Sequence, residues 1–151
     1  PVELDLLVTE VFQEMHIIAG GRVRVHLNEI DQLQVNGDRD RLKQVLINLV
    51  ANAIQYTPQG GDVFLSVAKV GDQARIICRD TGPGIPSEDL PHIFERFYRA
   101  EKSRTRGKST GFGLGLSITK WIVEHHNGRI DVDSKEGQGT TFAIWLPLLN
   151  P

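Results

Sequence analysis

Two stretches of extended pattern, near 62–70 and 73–80, are separated by nothing but Gly71-Asp72. A two-residue link of that kind reads as a hairpin turn, which makes the two strands antiparallel neighbours. In the second stretch Ala74, Ile76, Cys78 and Asp80 share one face by the two-residue period of a strand. That face is apolar up to its last member, and an apolar sheet face has to be covered by a second layer.

Three helical patterns are available to cover it. Leu4, Leu7, Val8, Val11, Phe12 and Met15 recur at helical spacing through 3–19, and Gly20-Gly21 stops the run. Asp38 is a good N-cap for a second helix, whose apolar face is Leu42, Val45, Leu46, Leu49, Val50 and Ala53 and which ends at Thr57-Pro58. A third is expected from about 114 to 126, with Leu114, Ile118, Trp121 and Ile122 on one face, closed by Asn127-Gly128. Further strands are expected where Val23, Val25 and Leu27 alternate with Arg22, Arg24 and His26, and near 129–134 and 140–147. A short extended piece lies at 33–35, and a short helix is expected from Ser87 over Leu90–Ile93. Residues 99–110 hold five basic residues and no large aliphatic one, the composition of a mobile surface loop.

Helices and strands are intermixed, and neighbouring strands are joined by short turns. This predicts an α/β (α+β) chain: a two-layer α/β sandwich in which a mixed, mostly antiparallel sheet of about five strands packs on three helices. At 151 residues, 40% hydrophobic and 24% charged, one domain spanning 1–151 is expected. The net charge of −2 supplies no basic field for nucleic acid. Cys78 is the only cysteine, so an internal disulfide is excluded. No membrane span or signal peptide is visible, and because the chain opens on Pro1 it reads as a fragment of something longer.

Four groups of residues carry candidate chemistry. Gln44, Asn48, Asn52 and Gln55 form a polar stripe on the second helix, away from its Leu/Val face. Asn competes for backbone hydrogen bonds and is a poor interior helix residue, so two of them one turn apart suggest an outside demand. Amide oxygens suit Mg²⁺ and amide NH₂ groups suit phosphate, although a solvated face explains the stripe as well. In Asp80-Thr81-Gly82-Pro83-Gly84-Ile85, Asp80 sits on an apolar face and needs a donor, which the exocyclic amine of adenine would supply. Gly82 and Gly84 let a backbone approach a ligand closely; a turn with Asp80 capping an N–H is the plain alternative. Gly111-Phe112-Gly113-Leu114-Gly115-Leu116 opens the third helix and can wrap phosphate in N–H groups, or serve only as a hinge. In Phe94-Glu95-Arg96-Phe97-Tyr98-Arg99 the arginines suit phosphate and the phenylalanines suit an anchor for the loop root, although taken alone the piece reads better as an amphipathic segment with solvated arginines. Gly107-Lys108-Ser109 imitates the end of a Walker A loop, but the leading position holds Lys102 and no strand precedes it.

The order of these groups is more specific than any one of them. Asn48-x-x-x-Asn52-Ala53-x-x-Tyr56-Thr57-Pro58 resembles the asparagine box of sensor histidine kinases. Asp80-x-Gly82-x-Gly84-Ile85 resembles their first glycine box, Ile93 to Arg99 their phenylalanine box, and Gly111 to Leu116 their second glycine box. Gly137-Gln138-Gly139-Thr140-Thr141-Phe142 resembles their closing glycine-threonine segment, so the likeness spans about 3–147.

The resemblance implies the Bergerat nucleotide fold of the GHKL ATPase/kinase superfamily, with ATP between a sheet-backed pocket and a flexible lid at about 98–112. It implies Asp80 on adenine, with Thr141 and a water, beside Gly82, Gly84 and Ile85. It implies Asn52 as the Mg²⁺ ligand, Asn48 lining the same site, Gln55 and Tyr56 near the nucleotide, and Tyr98 at the lid root. Arg99 would reach the terminal phosphate, and Gly111, Phe112, Gly113, Leu114, Gly115 and Leu116 would border the triphosphate, with Gly113 and Gly115 holding it from the backbone. Two positions depart from the pattern: Gln55 stands where many relatives have Lys, and Phe112 where a small polar residue is common.

The implied activity is transfer of the γ-phosphate of Mg-ATP to a histidine on a separate dimerisation domain of the same parent, with a response regulator downstream. His16, His26, His92, His125 and His126 lie in no phosphoacceptor context, so the fragment is expected to bind ATP without phosphorylating itself. Gyrase-like hydrolases place a glutamate one turn before the key asparagine; here that position is Asn48, which is no general base. The anti-sigma serine kinases share the pocket, but the phenylalanine box and long lid favour the histidine-kinase branch. A module that binds nucleotide without transferring phosphate is the rival of another class. The family further implies a cytoplasmic, monomeric domain without membrane contact, in a parent anchored in the inner membrane.

Overall fold

The computed structural model describes residues 1–95 and 115–150. Five strands form one sheet in the order β2-β4-β5-β7-β6: β2 Arg24–Ile30, β4 Asp62–Val70, β5 Gln73–Asp80, β7 Gly139–Pro147 and β6 Arg129–Lys135. β2 runs parallel to β4 and the other three pairings are antiparallel. Three helices, α1 Leu4–Ala19, α2 Arg39–Tyr56 and α3 Gly115–His125, supply the second layer. The architecture is the two-layer sandwich expected from the sequence.

The inner sheet face can be followed row by row. Ile30, Val67, Ile76, Ile144 and Ile130 form one row, and Leu27, Leu65, Cys78, Phe142 and Val132 the next. Their side chains join Leu7, Val8, Val11, Leu46, Leu49, Val50 and Ile122 in a single core. Cys78 belongs to it, and burial pushes its thiol well above the ordinary range. Burial at about 25 cal/mol per Å² of apolar surface is the term that holds the two layers together.

The helix ends are made by recognisable devices. Asp38 Oδ1 accepts from Arg41 N–H at 3.2 Å and caps α2. At the other end Arg22 donates to the carbonyls of Ile54 (2.8 Å) and Thr57 (3.2 Å), holding the last turn from which Tyr56 projects. Asn127, with φ 60°, closes α3, and Gly128 N–H donates to Val123 O. On edge strand β2, Arg24 and His26 both reach Asp62 at 2.8 Å, holding its carboxyl down at about 2.

Three features differ from the sequence expectation. First, α3 buries Leu116, Thr119, Ile122 and Val123, leaving Ile118 37% and Trp121 50% exposed. Ile118 and Trp121 were expected among the residues of the packing face. The helix is rotated so that the small Thr119, 0% exposed, takes a buried position beside α2; Leu114 lies outside the described residues. Second, the expected helix after Ser87 is only a 3-10 turn, Leu90–His92, followed by the fully buried Ile93. Third, β1 (Val2–Glu3) pairs with β3 (Gln34–Val35) in a separate two-stranded ribbon, and Val35 bridges to Leu148. No helix among the described residues is long and apolar enough to cross a membrane.

Candidate functional site

At one end of the inner sheet face the apolar rows give way to a polar one. Ser134 on β6, Thr140 on β7 and Asp80 on β5 are direct cross-strand partners, continued by Val63 and Val25. Asp80 is the carboxylate that strand parity placed on the core side. Its Oδ1 accepts from Gly82 N–H at 2.8 Å, and the main chain of Thr140 also bonds to the carboxyl. Burial nonetheless raises its pKa, outweighing both hydrogen bonds. A carboxylate in that setting gains from a further donor.

Two turns form the floor beside it. The turn 81–86 carries Gly84 at φ 79°, where a Cβ would collide with Lys135 O. Gly139, at φ 102°, has the same relation to Asp80 O. Glycine at both positions is what lets the β6–β7 hairpin tip lie against the turn. Gly137 N–H donates to Pro83 O at 2.6 Å, and Ile85 N–H donates to Ser134 Oγ at 2.7 Å. These two hydrogen bonds tie the two turns together.

The end of α2 stands against this floor, since a Cβ on Gly82 would lie 3.0 Å from Tyr56 O. Asn52 is half-buried, and its Oδ1 is buried without a hydrogen-bond partner among the described residues. An orphaned buried acceptor costs about 1–3 kcal/mol, a cost that a cation or donor ligand relieves. Amide oxygen is a hard donor of the kind Mg²⁺ takes, so the residue fits that ion. Asn48 is half-buried one turn earlier, and its Nδ2 donates to Thr119 Oγ1 of α3 at 3.5 Å. Gln55 and Tyr56 are half-buried in the last turn, whereas Gln44 at the other end of the stripe is exposed.

The structure thus brings Asn48, Asn52, Gln55, Tyr56, Asp80, Gly82, Gly84 and Ile85 to one end of the sandwich. Ile85 is 5% exposed and Leu116 1%, so both side chains are spent in the core and only their main chains can face a ligand. Gly115 is the first residue of α3. Phe94 meets Phe142 edge-on, with ring centroids 6.4 Å apart, and so packs on the core; Phe97, the other expected anchor, lies outside the described residues. Tyr98, Arg99, Gly111, Phe112, Gly113 and Leu114, with the expected lid, lie outside the described residues.

Thr141 requires a correction. Its cross-strand partners are Arg79 and Asp133 on the outer sheet face, opposite to Asp80. The residue beside Asp80 is Thr140, 6% exposed. A one-residue shift along a strand changes the face. The signal was available: Phe142, Ile144 and Leu146 are the large apolar residues that the strand buries, and counting back by twos from them gives Thr140. The same count from Ile130 and Val132 gives Ser134, which the sequence reading missed.

Comparison with known proteins places this geometry. The family described as "Histidine kinase-, DNA gyrase B-, and HSP90-like ATPase" matches residues 37–150. The sensor histidine kinase YclK of Bacillus subtilis (strain 168) is 40% identical over 151 residues, covering 97% of this chain and 32% of that protein. The chain therefore spans well under two thirds of that relative. Among solved structures, the mycobacterial sensor histidine kinase MprB superposes with a TM-score of 0.84 at 27% identity, covering 99% of this chain and 97% of that one. Full-length ShkA, solved in complex with AMPPNP, superposes with a TM-score of 0.85 at 26% identity, covering 100% of this chain and 31% of that one.

Proposed function

Since the chain belongs to the family of histidine kinase-, DNA gyrase B- and HSP90-like ATPases, we propose that it is the ATP-binding half of a sensor kinase's active site and donates the γ-phosphate to a histidine on a separate dimerisation domain. The observation that carries this reading is the pairing, at one end of the sandwich, of a buried carboxyl at Asp80 with an orphaned amide oxygen at Asn52. One recognises a base and the other a cation on phosphate. The AMPPNP held by full-length ShkA supports the same ligand class.

Each residue then has a task. Asp80 accepts from the exocyclic amine of adenine, with Thr140 beside it. Gly82 and the rigid turn bearing Gly84 set the depth of the base. Asn52 offers Oδ1 to Mg²⁺, and Asn48 borders the same space. Gln55 and Tyr56 flank it from the last turn of α2. Arg99 and the N–H groups of Gly113 and Gly115 are assigned to the triphosphate on the strength of the motif. Mg²⁺ supplies charge neutralisation on the transferred group, since phosphoryl transfer asks mainly for positioning and electrostatics. Asn48 cannot activate water as a carboxylate would, which favours transfer over hydrolysis. A response regulator downstream, and a parent anchored in the inner membrane with this domain in the cytoplasm, complete the reading.

The test is twofold. Calorimetry should show ATP binding strengthened by Mg²⁺ in the unaltered chain, and Asn52→Ala should abolish most of that Mg²⁺ dependence while leaving Mg²⁺-free binding in place. Supplied with labelled ATP and a matching histidine-bearing domain, the chain should form phosphohistidine. Tight binding without transfer would make it a regulatory nucleotide-binding module instead.

A further inference from the structure

Ser134 closes the polar row at the β6 edge, and its Oγ has three polar neighbours: Ile85 N at 2.7 Å, Thr140 Oγ1 at 2.9 Å and Gly139 O at 3.1 Å. A hydroxyl has one proton and two lone pairs. The Ile85 N–H can only donate, so it takes one lone pair. The Gly139 carbonyl can only accept, so it takes the proton. What remains for Thr140 is a lone pair, and Thr140 must therefore be the donor in its contact with Ser134. Its proton is then used up, and Thr140 Oγ1 has only lone pairs left for the pocket. Asp80, its neighbour in the same row, is acceptor-only whenever it is ionised.

We propose that Ser134 is a positioning residue that locks the Thr140 hydroxyl as an acceptor, so that Thr140 and Asp80 together present acceptors to the base and select a 6-amino purine over a 6-oxo purine. The inference rests on the adenine-nucleotide reading above and deepens it. A 6-amino group brings N–H donors to that wall. A 6-oxo group brings lone pairs against lone pairs, and a buried acceptor left without a donor is penalised. Without the Ser134 oxygen, the Thr140 hydroxyl is free to rotate and donate to a 6-oxo group, which softens the discrimination.

Titration of the chain with ADP and with GDP tests this, because the ratio of the two affinities separates the proposal from a general loosening of the floor. The unaltered chain should prefer ADP. Ser134→Ala should narrow that preference about five- to tenfold, the size of one neutral hydrogen bond. Ser134→Thr, which restores a hydroxyl, should recover it. In a Thr140→Val background, Ser134→Ala should change the ratio no further, because no hydroxyl is left to orient. If Ser134→Ala fails to fold, Ser134→Cys carries the same expectation, since a thiol is a weak acceptor. A ratio that survives the loss of the Ser134 hydroxyl, or that narrows equally in the valine background, overturns the proposal while leaving the adenine reading standing. An unaltered chain that binds ADP no better than GDP overturns both.

Discussion

At the scale of single residues, Asp80 carries opposite demands from folding and from function. Burial raises its pKa in spite of the N–H donors of Gly82 and Thr140. The folded chain therefore holds a proton that the unfolded chain releases at the ordinary carboxylate pH. A raised carboxyl contributes its stability in full below that ordinary range and loses it as pH rises through the raised value. Asp80→Asn removes this loss. Melting followed from pH 4 to 8 should show the Asp80→Asn variant gaining on the unaltered chain as pH rises. Its affinity for ADP should fall at least about tenfold, because a charge-assisted acceptor for the base amine is gone. Lower stability of the variant at pH 8 together with full affinity would refute the role. The side of the strand on which Asp80 falls was legible from Ala74, Ile76 and Cys78. Thr140 was legible by the same count and was lost to its neighbour only because two threonines stand together. The orphaned oxygen of Asn52 was not legible at all, since it depends on what α3 and the sheet bring around α2.

At the scale of elements, α3 shows what periodicity leaves open. Ile118, Trp121, Ile122 and Val123 lie within one and a half turns, and several rotations of such a helix bury about equal apolar area. The structure resolves the choice through a polar contact: Thr119 turns inward to accept from Asn48, and Trp121 turns outward. There Trp121 packs its ring 3.9 Å from that of His125, with the Arg41 guanidinium 5.9 Å away. In the proposed transfer an acceptor histidine reaches the γ-phosphate, so the domain carrying it rests on surfaces bordering the site. Through the Asn48–Thr119 contact α3 packs beside the helix that carries the site, and its outward face at Trp121 is the surface that the proposed transfer assigns to that domain. Trp121→Ala is therefore expected to leave ATP affinity within about twofold, the range of ordinary surface substitutions, and to slow transfer to the supplied histidine domain at least about tenfold, in line with loss of a buried aromatic anchor. Equal transfer rates at sub-saturating acceptor would remove α3 from the interface.

At the scale of the whole molecule, the sheet is a single body with an apolar trunk and a polar tip, and in the proposed function the ligand reads only the tip. Hairpin, strands and helix layer followed from local pattern because each is specified within a few residues. The β1–β3 ribbon, which ties Val2 to Val35 and Val35 to Leu148, did not, because two-residue strands carry no period. Trunk and tip should separate in experiment. Leu146 is 1% exposed and lies six residues along β7 from Thr140, about 20 Å at the rise of a strand. Leu146→Ala should cost about 2–5 kcal/mol of stability through lost burial and the cavity left behind. Sites separated by more than about 10 Å usually contribute additively. The stabilisation that saturating Mg-ATP confers, which depends only on ligand concentration relative to Kd, should therefore be the same in Leu146→Ala as in the unaltered chain. Denaturant titrations with and without nucleotide measure both quantities at once. If the nucleotide increment shrinks along with the core, the tip is not preorganised by its own turns but borrows its shape from the packing of the trunk. The floor made by Gly84, Gly139 and Ser134 would then have to be assembled on binding.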